Sequence, residues 1–439
     1  MRGEMMTVAH AIAKFCAQPV VSRNARQLAR DAIIDTLACM VGGRDDLSTQ
    51  TVAKAFADSA GSPMHAALVQ GTAAHALDYD DNFLPGMSHA SAVLVPAILA
   101  LVDFDTVSGT QLIDAYLAGL QAQAFVGQGV GQAHYTAGWH GTSTIGSIGT
   151  AVATAKIMGL DIEQTARALT IAVSFACGTK GQFGTLIKPF HAGMAARNAV
   201  EAALLAKAGM QARADILEGE QGFHELFAGD KRMGWDINAI LAPQDHIIET
   251  AGVMPKRHPC CGSTHLIVDG LLDLMREHDF TAQDIDHIGA LVGIANYRNL
   301  AYPQPENEMQ ARFSMQYCVA RAARQKHLSL ADFTPQAVRD FADDPLMQQI
   351  EMLSYSLDEE RISHDKLAHR VSVTLLDGRV LQTARTYAVG ALQEPFSEAD
   401  RSHKFMDCCG ELSNAGKIYD DLQGLDQLQD LKILKQLFS

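Results

Sequence analysis

The chain has 439 residues, 48% of them hydrophobic and 19% charged, with a formal net charge of −15. This is the composition of an ordinary globular protein with a large core, not of a disordered or fibrous one. The charge is spread along the chain without a basic block, so nucleic acid and anionic membranes find no electrostatic partner, and an anionic small molecule would need a local basic pocket.

At roughly 150 residues per folding unit, two domains are expected. Residues 1–10 lack the basic and then apolar pattern of a secretory leader, which makes a cytoplasmic location the expectation. Over residues 7–208 apolar side chains recur at helical spacing, as in Ala29, Ile33, Leu37 and Met40, and predict a helical first half. The strongly apolar run 92–102 falls far short of the roughly 20 residues that span a bilayer and reads as a buried helix. Gly146, Ser147, Gly149 and Ala151 lie in a stretch, 141–159, that would weaken a helix unless small faces let its neighbours come close. Gly159 is the expected stop, and Asp161 the cap of a following helix through 165–175.

After Pro255 the pattern changes. Alternation with branched residues marks strands over 287–294 and 370–375, and Asp377-Gly378 signals a hairpin between 371–375 and 380–383. Segments 264–276 and 308–324 read as helices, so the second unit is α+β. Helical character returns near Ser397, and the closing segment is expected to pack back onto the first domain. The expected division is 1–250, 251–392 and 393–439. Eight cysteines occur without any C-x-x-C spacing, so reduced, mostly buried thiols are expected and no metal.

Four stretches carry residues suited to chemistry. In the first, Asp78, Asp80 and Asp81 crowd three carboxylates into four positions between His75 and His89. Asp78 is placed to orient a base and His89 to face a pocket, since a histidine pKa of about 6.5 suits proton transfer; the alternative is a polar loop that caps two helices. In the second, His140 and three hydroxyl residues open a Gly-rich helix, whose free N–H groups favour a carboxylate. In the third, Lys188 precedes Pro189 and is expected just outside a helix, paired either with a substrate carboxylate or with Asp78 or Asp80. His191 and Arg197 follow on that helix, as substrate-facing or supporting groups. In the fourth, Lys256 and Arg257 bring positive charge to the domain boundary, ahead of Gly262-Ser263-Thr264, which offers backbone and hydroxyl donors at a helix start. The chain has no Walker loop, dinucleotide fingerprint, H-E-x-x-H or G-x-S-x-G, which removes nucleotide hydrolysis, nicotinamide chemistry, zinc proteolysis and α/β-hydrolase esterolysis.

Taken together, His75-x-x-Asp78-Tyr-Asp80-Asp81, Gly138-Trp139-His140, Lys188-Pro-Phe-His191, Lys256-x-x-Pro259 and Arg312-Phe313-Ser314-Met-Gln-Tyr317 resemble the MmgE/PrpD family over essentially the whole chain. That family includes 2-methylcitrate dehydratases, cis-aconitate decarboxylase and iminodisuccinate epimerase. The resemblance implies a mainly α fold: a large all-helical domain built from both chain ends, with a smaller α+β lid domain. It also implies a homodimer, cofactor-free chemistry, and a pocket lined by Asp78, His89, His140, Lys188 and Lys256. One departure weighs against decarboxylation: Cys261 stands at a position resembling a functional histidine of the decarboxylase.

The favoured reading is a 2-methylcitrate dehydratase-like hydro-lyase acting on a small polycarboxylate. His140 or His89 takes the proton beside a carboxylate, the other assists loss of water, Asp78 orients a histidine, and Lys188 and Lys256 meet the developing charge. Arg257, His191, Tyr135, Cys261 and Tyr317 are the further substrate-binding or donor candidates. Epimerisation and decarboxylation use the same groups. The other classes are a non-catalytic polycarboxylate-binding protein and a metal-dependent hydrolase using His75, Asp78 and Asp80.

Overall fold

Short polar residues start the helices of the first half. Thr7, Ser22, Asp46 and Ser62 each accept a backbone N–H at the head of α1 (Val8–Ala17), α2 (Arg23–Gly42), α3 (Leu47–Ala55) and α4 (Pro63–Ala76). The apolar run becomes α5 (Ser91–Leu99), buried along its whole length. Ser108 and Gln111 close a reciprocal cap on α6 (Gly109–Thr136), as Asp161 and Gln164 do on α8 (Ile162–Val173). Between them α7 (Gly141–Ile157) ends just before Gly159, whose φ of 68° only glycine adopts readily. The computed structural model describes residues 6–228, 234–356, 358–359 and 367–438.

The fold is mainly α, with one small sheet among the described residues. The small face of α7 serves close packing as expected: a Cβ on Gly149 would sit 2.5 Å from the Gln123 backbone nitrogen of α6. A second close approach joins α4 to α9 (Ile187–Lys207). A Cβ on Gly193 would lie 2.2 Å from the Leu68 carbonyl oxygen, and one on Gly71 2.8 Å from the Gly193 Cα.

Beyond residue 255 come α10 (Gly262–His278), β1 (Ile285–Val292), α11 (Ile294–Asn299), α12 (Met315–Gln325), β2 (Ile350–Ser354), β3 (His369–Leu375) and β4 (Val380–Arg385). The sheet order is β2-β1-β3-β4, with β1 and β2 parallel and the other pairs antiparallel. Val371, Val373 and Leu375 of β3 point into a core shared with Ile267 and Leu271 of α10 and with Val319 of α12. The Asp377-Gly378 hairpin forms as read, whereas β2 lies in a segment the sequence leaves unassigned. The expected helix over 308–324 is broken into Glu308–Ala311 and α12. The cause is local: Cys261 N–H takes the Arg312 carbonyl at 2.9 Å, and Ser314 caps Tyr317 to start a new helix.

α13 (Glu398–Cys409) and α14 (Ala415–Leu422) return to the first half. Phe405, Ile418 and Leu422 lie in one core with Ile33 and Leu37 of α2 and Leu94 of α5. The buried Lys404 donates to Asp35 of α2 at 2.7 Å and to the Tyr79 carbonyl at 2.7 Å. Among the described residues no helix is long and apolar enough to cross a membrane.

Because α4 and α9 meet through glycine, Gly193→Ala is expected to cost about 1–3 kcal/mol by overpacking. A urea-melt midpoint that did not move would show that the two helices have room to spare.

Candidate active site

The end of α4 turns sharply. Asp78 adopts φ 51°, a left-handed conformation that a non-glycine residue seldom holds without support. The support is electrostatic: Asp78 Oδ1 accepts from Lys188 Nζ of α9 and, at 3.1 Å, from Lys256 Nζ, which also donates to the Asp78 carbonyl at 2.9 Å. All three side chains are at most 3% exposed, so each charge depends on the others. Burial would push the Asp78 carboxyl up, but Lys188 and Lys256 outweigh it and hold it well below the usual range. Burial would likewise lower Lys256, and Asp78 and Asp80 raise it instead. Lys188 therefore lies inside the first turn of α9 and not just before it, because Pro189 occupies a first-turn position where no N–H is needed.

A second chain of contacts fixes the histidines. Lys188 Nζ donates to His75 Nε2 at 3.0 Å, and an ammonium can only donate, so the His75 proton is on Nδ1 and goes to Asp80 Oδ2 at 2.7 Å. His89 Nδ1 lies 2.8 Å from the Asp81 carbonyl, which can only accept; its Nε2 carries the lone pair. His140 Nδ1 shares a hydrogen with His191 Nδ1 at 3.0 Å, and His140 Nε2 is buried without a partner. The ring centroids of His89 and His140 are 6.3 Å apart. Burial lowers the pKa of His75, His89, His140 and His191, the last to about 4, with Lys188 adding to the effect in each case, so all four are neutral near pH 7. Burial would raise Asp80, but His75, His89 and Lys256 outweigh it and hold it below the usual range. Burial pushes the Asp81 carboxyl up to about 7, with Ser91 opposing and Asp80 adding to it.

These groups open on a cavity of about 500 Å³ between the helical body and the sheet-bearing part. Asp78, His89, Tyr135, His140 and Lys188 line it from one side, and Lys256, Cys261, Ser263, Asn296 and Asn299 from the other. Seven of the ten residues singled out from sequence meet here: His89, His140, Asp78, Lys188, Lys256, Tyr135 and Cys261.

Three do not line it. Arg257 points to Asp269 at 3.5 Å, with its side chain 40% exposed. Tyr317 is buried in the second core, where its hydroxyl donates to the Asp332 carbonyl at 2.5 Å. His191 stands behind His140 as its hydrogen-bond partner. The orienting carboxylate also differs: Asp80 holds His75 and lies 3.5 Å from His89 Nδ1, whereas Asp78 is given over to the lysines. Sequence reasoning offers Asp80 as a partner for Lys188 and both His75 and Asp80 as metal ligands, but does not pair them with each other, although the i, i+5 spacing across a helix end was the available signal. Ser263 belongs to the helix-start donors read from the sequence, whereas Asn296 and Asn299 carry no motif that would single them out. Among the described residues two groups lie close enough to hold a metal ion, His75 with His89 and His140, and His75 with Asp78 and Asp80. Both need His75, whose two ring nitrogens are already engaged by Lys188 and Asp80.

Two family models match the chain, the MmgE/PrpD N-terminal domain over residues 9–236 and the MmgE/PrpD C-terminal domain over 258–418. The chain belongs to the MmgE/PrpD family. Its relatives include the cis-aconitate decarboxylase of Homo sapiens, 29% identical over 386 residues, 85% of this chain and 76% of the relative. Similar matches are the cis-aconitate decarboxylases of Mus musculus, 27% identical over 85% of this chain and 78% of the relative, and of Aspergillus terreus, 24% identical over 86% and 81%. The chain is thus an enzyme of the lyase class within this family.

Stability should fall as pH drops from 7 to 5. The unfolded chain protonates His75, His89, His140 and His191 below about 6.5 while the fold keeps them neutral, each contributing about 1.4 kcal/mol per pH unit. Asp81 and Asp35, whose pKa values burial raises, oppose this but are outnumbered. Below about pH 4 the depressed Asp78 and Asp80 add to the loss. Urea midpoints at pH 7, 6 and 5 check the sign; a midpoint rising towards pH 5 would mean the histidines are charged in the fold.

Proposed function

We propose that the chain is a cofactor-free lyase that moves a proton on the carbon skeleton of a small polycarboxylic acid, and that the acid is of the cis-aconitate type and loses carbon dioxide. The observation that carries the proton-transfer part is the convergence of His89, His140, Lys188 and Lys256 on one cavity. The relatives support decarboxylation over its rivals, since those three are cis-aconitate decarboxylases.

Chemically, when the CH2–COO⁻ arm of cis-aconitate gives up carbon dioxide, the electron pair spreads through the double bond onto a remaining carboxylate. Protonation at the far alkene carbon then yields 2-methylidenebutanedioate, so one proton is consumed for each carbon dioxide released. In this reading Lys188 and Lys256, both buried and held by Asp78, stabilise that charge. The proton is delivered from His89 or His140, whose Nε2 atoms are the ones left for the cavity. Each is neutral in the free enzyme, and an anionic substrate stabilises the imidazolium it must become. Asp80 and His75 position Lys188 and His89. The homodimer implied by the sequence resemblance is part of the same reading.

Dehydration of a 2-methylcitrate-type hydroxy acid is the second reading, favoured by two observations. Cys261 lines the cavity at the position where the sequence resemblance leads one to expect a histidine of the decarboxylase, and neutral histidines suit removal of a proton. Its first step, proton removal beside a carboxylate, is shared with epimerisation.

Purified, chelator-treated protein in D₂O, followed by NMR with cis-aconitate, 2-methylcitrate, citrate and iminodisuccinate, separates these outcomes. Carbon dioxide release with one deuteron in 2-methylidenebutanedioate supports the first reading; an alkene formed with loss of water replaces it by the second; deuterium entry with inversion indicates an epimerase. His140→Asn and His89→Asn are each expected to lower kcat by about 10²–10⁴. A variant that kept full turnover would remove that histidine from the reaction.

A further inference from the structure

The chain crosses twice between the helical body and the sheet-bearing part, outward over 251–258 and back over 386–397. The crossings touch: a Cβ on Gly390, whose φ is 107°, would sit 2.4 Å from the Pro255 carbonyl oxygen, and one on Gly252 would sit 2.6 Å from Leu392 Cγ. Lys256 stands in the outward crossing between two anchors. On one side Met254 exchanges backbone hydrogen bonds of 2.8 and 2.9 Å with Asn82, just beyond the turn that carries Asp78. On the other, His258 Nε2 donates to Asp269 Oδ1 of α10 at 3.0 Å.

Asp269 ties both crossings together. Its Oδ1 also faces Arg257 Nη1 at 3.5 Å, and its Oδ2 accepts the Val389 N–H of the returning crossing at 3.3 Å. Among the described residues its carboxylate hydrogen-bonds to these crossings and to nothing in the sheet. The Asp269 side chain is 1% exposed and that of His258 3%. Burial would raise the Asp269 carboxyl, but His258 outweighs it, with His265 and Arg257 adding to the effect, and holds it down to about 2. A buried ionic network seldom stabilises a fold more than apolar packing of the same volume would. What this one supplies is direction, because its partners flank Lys256 on the outward crossing and Ala388, a wall of the cavity, on the return.

We propose that Asp269, acting through His258 and the Val389 N–H, is a positioning residue for Lys256. Asp269 itself does not line the cavity. The Asn82–Met254 pair fixes one end of the span that carries Lys256 and the Asp269–His258 pair fixes the other, which directs the ammonium to Asp78 Oδ1 at 3.1 Å and to the Asp78 carbonyl at 2.9 Å. Without the second anchor the span is free to pivot about Met254, and Lys256 loses that double hold. The proposal rests on the place given to Lys256 in the reaction above and adds the group that keeps it there.

Turnover is followed with whichever acid the D₂O experiment shows to react. Asp269→Asn and His258→Phe are each expected to lower kcat about tenfold to a hundredfold, as a misplacement of about 1 Å can. His258→Gln, which keeps a donor, should restore most of it. In a Lys256→Gln background Asp269→Asn should cost less than about twofold more, whereas in His140→Asn it should cost its full factor, since only coupled groups depart from additivity. A full further loss in Lys256→Gln, or an unchanged kcat in both folded single variants, would overturn the proposal. Thermal melts report folding: His258→Phe carries the same cycle if Asp269→Asn does not fold, and if neither folds the network is structural and the proposal falls. A readout without turnover is the ¹⁵N signal of the Lys256 ammonium, assigned by its loss in Lys256→Gln and expected to shift in Asp269→Asn. A shifted signal in a protein that turns over no acid would keep the positioning and remove the lyase reading. An unmoved signal, with the wild type active, would do the reverse.

Discussion

The carboxylate of Asp78 is shared by two buried ammonium groups that reach it from different parts of the chain. Lys188 comes from the first turn of a helix in the large helical core, and Lys256 from the segment that leads into the sheet-bearing part. Neither lysine could stay charged at that depth alone, since an unpaired buried charge costs several kcal/mol. The pairing therefore does more than neutralise charge. It fixes the distance across the cavity and holds Asp78 in a left-handed backbone conformation that it would otherwise leave.

From that fixed point the histidines acquire distinct characters. Once Lys188 donates to His75 Nε2, the His75 proton is committed to Nδ1 and to Asp80, and His75 has no nitrogen left for substrate. His89 is fixed in a different way, by a backbone carbonyl, and its remaining nitrogen is left for the cavity. His140 leans on His191. One residue type thus serves both as framework and as reactive group, and the hydrogen-bond partner, not the burial, separates the roles.

Much of this was legible in the sequence because it depends on local chemistry. The Asp161 cap, the Gly159 stop, the Asp377-Gly378 hairpin and the small face of α7 each follow from what neighbouring residues can do. The groups that meet in the cavity share motifs with a family, and that resemblance located most of them. What was not legible depends on direction. Arg257 adjoins Lys256 but leaves the chain on the other side, towards Asp269, and Tyr317 faces inward because Ser314 restarts the helix beneath it. Asn296 and Asn299 sit on a six-residue helix whose place beside α10 is set by the sheet, and no pattern in their own segment announces it.

The hold of Lys404 on the Tyr79 carbonyl has a consequence for how the enzyme comes into being. Tyr79 lies between Asp78 and Asp80, so the turn that aims both carboxylates is tied to a helix made long after it. A nascent chain can fold its first helices during synthesis, yet that strap cannot engage until α13 has left the ribosome. The order of translation thus delays completion of the acid–base centre until that helix has emerged, when the lysines from all three segments are present at once.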